Sequence, residues 1–316
     1  MAKLDMNAEG GPKFMADPFT VPDIKCGAME DLESYMAHPQ HNTDLGFPGE
    51  LIDNWQEVAI AKIGELAEKN RAFQVYLDSC VKCGACTDKC HYFLGTGDPK
   101  NMPVARQDLL RSVYRRYYTF AGKYFPKLVG ARDLTREVLD EWYNYYHQCS
   151  QCRRCSVFCP YGIDTAEISM AAREIMNTVG LGQKYCNEII AKASAVGNNL
   201  GMNPKALRAT LEDLEEDLED ETGLSIRIPL DEKGADILLI TPSADFFAEP
   251  HIDGLLGYAK VFHEAGVSWT VSSYASEAAN FGMFIGSYEN MRTLGLRIRQ
   301  AAEDLGVKRI VFGECG

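Results

Sequence analysis

A mainly helical domain built around two cysteine loops, followed by a parallel α/β sheet, is the fold class the sequence predicts. Three observations carry it. Cys80, Cys83, Cys86 and Cys90 repeat the spacing of Cys149, Cys152, Cys155 and Cys159. The segments flanking both runs place apolar residues at helical spacing. From Asp236 onward, short apolar runs alternate with amphipathic ones, the pattern of strands joined by helical crossovers.

Taken in order, residues 1–48 hold Gly10, Gly11, Pro12, Pro18, Pro22 and Pro39 with little periodicity, and read as an extended arm. Residues 49–200 read as the helical domain. Leu51, Trp55, Val58, Ile63 and Leu66 mark an amphipathic helix, and Phe73 with Leu77 a second that delivers Cys80. A helix follows Pro103 through Leu109 and Val113, and another over 134–146 precedes Cys149. Asp164 and Glu167 form a capping box for a helix through Ile168, Ala172 and Ile175 that ends at Gly180.

Residues 201–233 read as an acidic helix and linker: Leu211 to Glu221 carries eight carboxylates, with Leu211, Leu214 and Leu218 at helical spacing. Beyond it, 236–241, 268–272 and 308–313 are predicted strands, separated by helices over 252–265 and 288–305. The last strand leads to Gly313, Glu314, Cys315 and Gly316 at the carboxyl edge, where open parallel sheets place their ligands. Three parallel strands cover little area, so 234–316 is expected to be the first part of an incomplete α/β domain.

Each cysteine run reads C-x2-C-x2-C-x3-C, and Pro160 closes the second. That spacing lets a tight loop aim three thiolates at one [4Fe-4S] cube while the fourth reaches a second cube. Structural zinc fits less well, because it draws C-x2-C knuckles from separate hairpins. A disulfide framework belongs to small secreted chains, whereas this one has 316 residues and a first segment without the apolar stretch of a secretory leader. On the crossover rule, Cys80, Cys83, Cys86 and Cys159 hold one cluster and Cys149, Cys152, Cys155 and Cys90 the other. An assignment within runs exchanges only Cys90 and Cys159. Cys26 and Cys186 lack partner spacing and are expected to be buried thiols.

His91 stands where the signature places a proline, and either ligates or packs beside the loop. Arg153 and Arg154 lie between cluster cysteines, where cations raise the potential of a reduced cluster or dock another subunit.

At 46% hydrophobic and 24% charged, the composition is that of a globular chain of about two domains. No apolar run approaches the roughly 20 residues of a membrane helix. The net charge of −13 makes nucleic acid a poor partner, although residues 100–136 carry nine Lys or Arg among six aromatic side chains from Tyr114 to Phe125. That segment is the expected docking face for an anionic partner, lipid headgroups or a membrane subunit. No G-x-G-x-x-G or Walker pattern offers a nucleotide cradle.

With 58 residues between the runs, the first domain resembles the α-helical ferredoxin of respiratory iron-sulfur subunits. Three blocks narrow the resemblance: GTGDPKNMP followed by VARQDLLRSVYRRYYT, then CSQCRRCSVFCPYGIDTAEISMAAREI, and the terminal FGECG. They resemble the DsrK family of the sulfite-reduction-associated complex, relatives of the catalytic subunit of membrane-bound heterodisulfide reductase with its CCG domain. The resemblance implies two [4Fe-4S] clusters on the eight cysteines and a role for Cys315 as first ligand of a third, noncubane [4Fe-4S] centre, completed by cysteines beyond Gly316. It implies an oxidoreductase carrying electrons from quinol, through a cytochrome b-type membrane subunit, to a disulfide or trisulfide on a small DsrC-type sulfur carrier. It also implies a place on the cytoplasmic face of the inner membrane, held by partner subunits. The alternative on the same fold is the iron-sulfur subunit of a flavin-dependent dehydrogenase of the glycolate or glycerol-3-phosphate type; a scaffold with structural clusters is a third reading.

Overall fold

A computed structural model describes residues 50–313, apart from 249–250 and 277–280. The arm, Cys26 and Cys315 therefore lie outside the described residues. Among those described, 50–184 with 284–287 form one compact unit, and 185–283 with 288–313 another.

The first unit is helical: α1 (Trp55–Lys69), α2 (Arg71–Ser79), α3 (His91–Thr96), α4 (Pro103–Tyr118), α5 (Phe120–Tyr124), α6 (Arg136–His147), the single turn α7 (Arg154–Val157) and α8 (Thr165–Thr178). Their starts follow local chemistry. The Asn70 side chain accepts from the Phe73 N–H, Thr135 from Val138, and Asp164 from Ala166 and Glu167, while Pro103 occupies the first turn of α4. The predicted capping box at α8 is met on the Asp164 side, and the Glu167 carboxylate faces Arg153.

α8 is the hub, touching α1, α2, α4 and α6. Ile168, Ala172, Ile175 and Met176 are fully buried against Ile63, Leu77, Leu110, Val113, Leu139 and Trp142. Each such large apolar side chain contributes about 1.5–3 kcal/mol by leaving water. The cysteine loops hang from this core, one leaving α2 and the other lying between α6 and α8.

The second unit contains α9 (Lys184–Val196), α10 (Pro204–Thr222), α11 (His251–Glu264), α12 (Phe281–Phe284) and α13 (Tyr288–Leu305), with β1 (Ile237–Ile240), β2 (Trp269–Thr270) and β3 (Arg309–Phe312). All pairs are parallel, in the order β2-β1-β3, with Ile237 opposite both Trp269 and Arg309. Side chains of β1 alternate as a strand requires: Leu239 joins Leu255, Ala259 and Trp269 on one face, while Leu238 and Ile240 meet Ile298, Ala301 and Leu305 of α13 on the other. β3 is the least covered strand, with Ile310 and Phe312 exposed.

Two features differ from the sequence reading. Contacts divide the chain between 184 and 185 rather than at 200, because α9 is tied forward: Ser276 N–H donates to Gly197 O, and Asn199 N–H to Ser243 Oγ. The acidic segment is part of a 19-residue helix that buries Leu207, Leu211, Leu214 and Leu218 in the second core, with its carboxylates on the outer face. The leucine stripe noted in the sequence makes this segment part of the second core rather than a linker.

In the first unit, Lys62 Nζ of α1 reaches Glu174 Oε1 of α8 at 2.9 Å, both side chains being mostly covered. Burial pushes the Glu174 carboxyl up, and Lys62 opposes that shift. Lys62→Met leaves this carboxylate without its cation and is expected to cost about 2–3 kcal/mol at pH 7. The carboxyl of the variant protonates at higher pH than in the parent, so the deficit shrinks as pH falls through the carboxylate range. Denaturant melts of both proteins at pH 7 and pH 5 check the size and the sign.

Candidate metal centre

The two cysteine runs share a backbone as well as a spacing. Lys82 and Gln151, each one residue before the second cysteine of its run, have φ of 57° and 61°. Gly84 and Arg153, each one residue after it, have φ of 79° and 58°. Left-handed residues on both sides of Cys83 and of Cys152 fold each loop into a tight concavity, the kind of backbone nest whose N–H groups face anionic iron-sulfur sites. The first run closes through a 3₁₀ turn over Thr87–Lys89, which brings Cys90 to the start of α3. The second closes through α7 and reaches Cys159 ahead of Pro160.

The described cysteines are all free thiols. Those of the two runs line two hollows. Cys80, Cys83, Cys86 and Cys159 line the first, with Cys155 at its wall. Cys90, Cys149, Cys152 and Cys155 line the second. Cys155 and Thr165 thus face both. Apart from the shared Cys155, the first hollow takes Cys80, Cys83 and Cys86 from the first run and Cys159 from the second, and the second hollow takes Cys149 and Cys152 from the second run and Cys90 from the first. Among the described residues no group of three or more His, Cys, Asp or Glu converges tightly enough to hold a single ion; the thiols ring a volume. Soft sulfur donors around an apolar concavity fit an iron-sulfur cube.

Cys86 and Cys155 are not poised as free thiolates. Burial, then the neighbouring Cys155, pushes the Cys86 thiol up to about 11, and burial likewise raises Cys155. Stable thiolates here need bound metal, which displaces the protons. Cys83 and Cys152 are exposed, whereas Cys90 is buried.

Flanking side chains resolve several sequence expectations. His91 lies beside the second run, its Nε2 3.3 Å from Ser150 Oγ and its Nδ1 3.9 Å from Cys152 Sγ. Arg153 turns to Asp164 and Glu167, at 3.4 and 3.6 Å. Cys186 is buried in α9 and lines neither hollow. The basic segment 100–136 is largely consumed within the fold: Lys100 and Arg132 pair with Glu141, Arg111 with Asp108, Arg116 with Asp133 and Arg136 with Asp140. Its exposed remnant is apolar and aromatic, with Phe120, Tyr124, Phe125 and Leu128 at the surface beside Lys123 and Lys127.

Three buried arginines went unnoticed in the sequence. Arg111 Nη1 donates to Cys80 O at 2.6 Å, Arg173 Nη2 to Cys149 O, and Arg106 Nη1 to Cys90 Sγ at 3.6 Å. Arg111 and Arg173 thereby clamp the first residue of each run to the helical core. A signal was present: Arg106 falls in step with Leu110 and Val113 on the buried stripe of α4, and Arg173 with Met176 on that of α8.

Comparison with known proteins agrees with this chemistry. The family described as 4Fe-4S dicluster domain matches residues 76–163. The chain is 50% identical over 270 residues to an Hdr-like menaquinol oxidoreductase iron-sulfur subunit 2 of Archaeoglobus fulgidus, covering 84% of this chain and 48% of that protein. It is 45% identical over 317 aligned residues to the Hdr-like menaquinol oxidoreductase iron-sulfur subunit of Archaeoglobus profundus, covering 95% and 56%. A shorter similarity, 31% over 106 residues, is to a dihydromethanophenazine:CoB--CoM heterodisulfide reductase polypeptide of Methanosarcina barkeri, covering 34% of this chain and 25% of that protein. The chain spans about half the length of the two Archaeoglobus relatives. No solved structure gives a significant match.

The equivalence of Gly84 and Arg153 makes a test of the loop. A Cβ at Gly84 meets nothing closer than Thr87 Oγ1 at 3.8 Å, so the cost of Gly84→Ala is backbone conformation alone. About 1–2 kcal/mol is expected, with retained iron, and Arg153→Gly is expected to stabilise by a comparable or smaller amount after losing its ion pairs. Denaturant midpoints of anaerobically purified protein check both signs.

Proposed function

We propose that the chain holds two [4Fe-4S] clusters and serves as the iron-sulfur electron-transfer part of a membrane-associated, heterodisulfide reductase-like oxidoreductase. Cys80, Cys83, Cys86 and Cys159 would hold one cluster and Cys149, Cys152, Cys155 and Cys90 the other. The grouping of thiols around two hollows, with one cysteine exchanged between runs, is the observation that carries this reading. When bound, such clusters supply one-electron carriers that feed a two-electron cleavage of a sulfur–sulfur bond.

The chain's own residues do the holding and shielding. The left-handed loops direct thiolates and backbone N–H groups inward. Arg111 and Arg173 fix the first cysteine of each run against the core, limiting the rearrangement that an electron arriving or leaving would otherwise drive. Val104, Ile163 and Pro160 keep the first hollow apolar.

The relatives' names support a quinol as electron source, and the narrower assignment extends them: a DsrK-type subunit taking electrons through a cytochrome b-type partner and delivering them to a disulfide or trisulfide on a DsrC-type carrier. Cys315 would be a ligand of the noncubane centre at that site. No described helix is long and apolar enough to cross a membrane, so membrane attachment on the cytoplasmic face is assigned to partner subunits.

Anaerobically purified protein is expected to contain about eight irons and eight acid-labile sulfides per chain. Cys159→Ala should abolish the same EPR signal as Cys83→Ala, and Cys90→Ala the same signal as Cys152→Ala. Pairing of Cys90 with Cys83 instead would establish the within-run assignment, and stoichiometric zinc without sulfide would remove the reading altogether.

A further inference from the structure

Arg106 is 2% exposed, yet its guanidinium has no carboxylate partner among the described residues. Nε donates to Tyr145 O at 2.9 Å, Nη2 to Asn101 Oδ1 at 2.7 Å, and Nη1 to Cys90 Sγ at 3.6 Å. Two of these acceptors are neutral oxygens, and Asn101 is itself held: it is 1% exposed and donates to Thr96 Oγ1. Arg111, further along α4, is buried to the same degree but meets Asp108 twice.

A buried guanidinium costs several kcal/mol unless a negative charge faces it. The anionic candidate in its hydrogen-bond shell is the sulfur of Cys90, and Arg106 itself lines the second hollow. Cys90 is also the buried ligand of its set and the one contributed by the other run, so its sulfur is screened least by water.

We propose that Arg106 is the counter-charge of the centre in the second hollow and raises that centre's reduction potential relative to its neighbour in the first. The inference rests on the reading that Cys90 ligates a cluster with Cys149, Cys152 and Cys155. Reduction there adds one electron and one negative charge, with no bond made or broken. A fixed cation hydrogen-bonded to one ligand sulfur favours the more negative state, and in a water-poor setting the effect is weakly screened. Arg153, which the sequence offered for this role, spends its charge on two carboxylates and is 57% exposed.

Asn101 provides a test that leaves the arginine in place. Asn101→Asp is nearly isosteric and sets a carboxylate where Oδ1 now accepts from Arg106, neutralising the cation without removing it. Full-length protein, purified anaerobically with its partner subunits, is titrated with dithionite and redox mediators and followed by EPR. Asn101→Asp and Arg106→Gln are each expected to disfavour reduction of the Cys152-dependent centre at least tenfold, about 59 mV for one electron. Arg106→Lys should shift it less than threefold, and the Cys83-dependent centre should move much less in all three.

An Asn101→Asp protein with its centre intact and its potential within threefold of the parent overturns the inference, leaving Arg106 a packing residue. If Arg106→Gln loses its iron, Asn101→Asp decides alone. A parent protein without an EPR signal that requires both Cys90 and Cys152 removes the underlying reading instead, and the two failures are told apart by that signal.

Discussion

The exchange of one cysteine between the two loops is the constraint on which the first unit turns. Cys90 belongs spatially with Cys149 and Cys152, and Cys159 with Cys80 and Cys83, so neither hollow is complete unless both loops are in register. Register demands a rigid frame between them. α4 and α6 supply the span, and α8, packed against both and against α1 and α2, locks it. The loops leave Val81, Val157 and Phe158 exposed and bury little beyond Ile163, so their geometry is borrowed from the helices. The carbonyl clamps of Arg111 and Arg173 are the points of attachment.

That arrangement explains a division of labour among the arginines. In the exposed part of 100–136, arginines pair with carboxylates at modest benefit, as solvated ion pairs do. Those turned inward lie in the core and bind carbonyl oxygens of the cysteine loops or a thiol sulfur, Arg111 holding Asp108 as well, because a guanidinium can satisfy several acceptors at once through its planar fork. The fork of Arg106 meets Tyr145 O, Asn101 Oδ1 and Cys90 Sγ from three different nitrogens.

Much of this was legible in the sequence. The helices before Cys80 and Cys149, the Asp164 cap and the parallel strands implied by alternation all follow from local signals: periodicity and capping chemistry. The spacing also singles out Cys90 and Cys159 as the last cysteine of each run, and each lines the hollow of the other run. What escaped reading depends on where charges point. Nine basic residues in one segment look like a docking surface until Glu141, Asp108 and Asp133, distant in sequence or on another turn, are seen to take up their charge. The leucines of α10 were legible at helical spacing among its eight carboxylates, but not that they join the core of the second unit rather than a linker. The left-handed φ at Lys82, Gln151 and Arg153 had no residue signature at all, since only Gly84 among the four positions announces it.

Cys155 and Thr165 form a wall common to both hollows. A partition one side chain thick is poor electrical insulation in a medium of low polarisability, where charge acts over several ångströms with little attenuation. Clusters held in the two chambers would therefore act as neighbours: charging one would raise the cost of charging the other, so that their potentials would be properties of the pair.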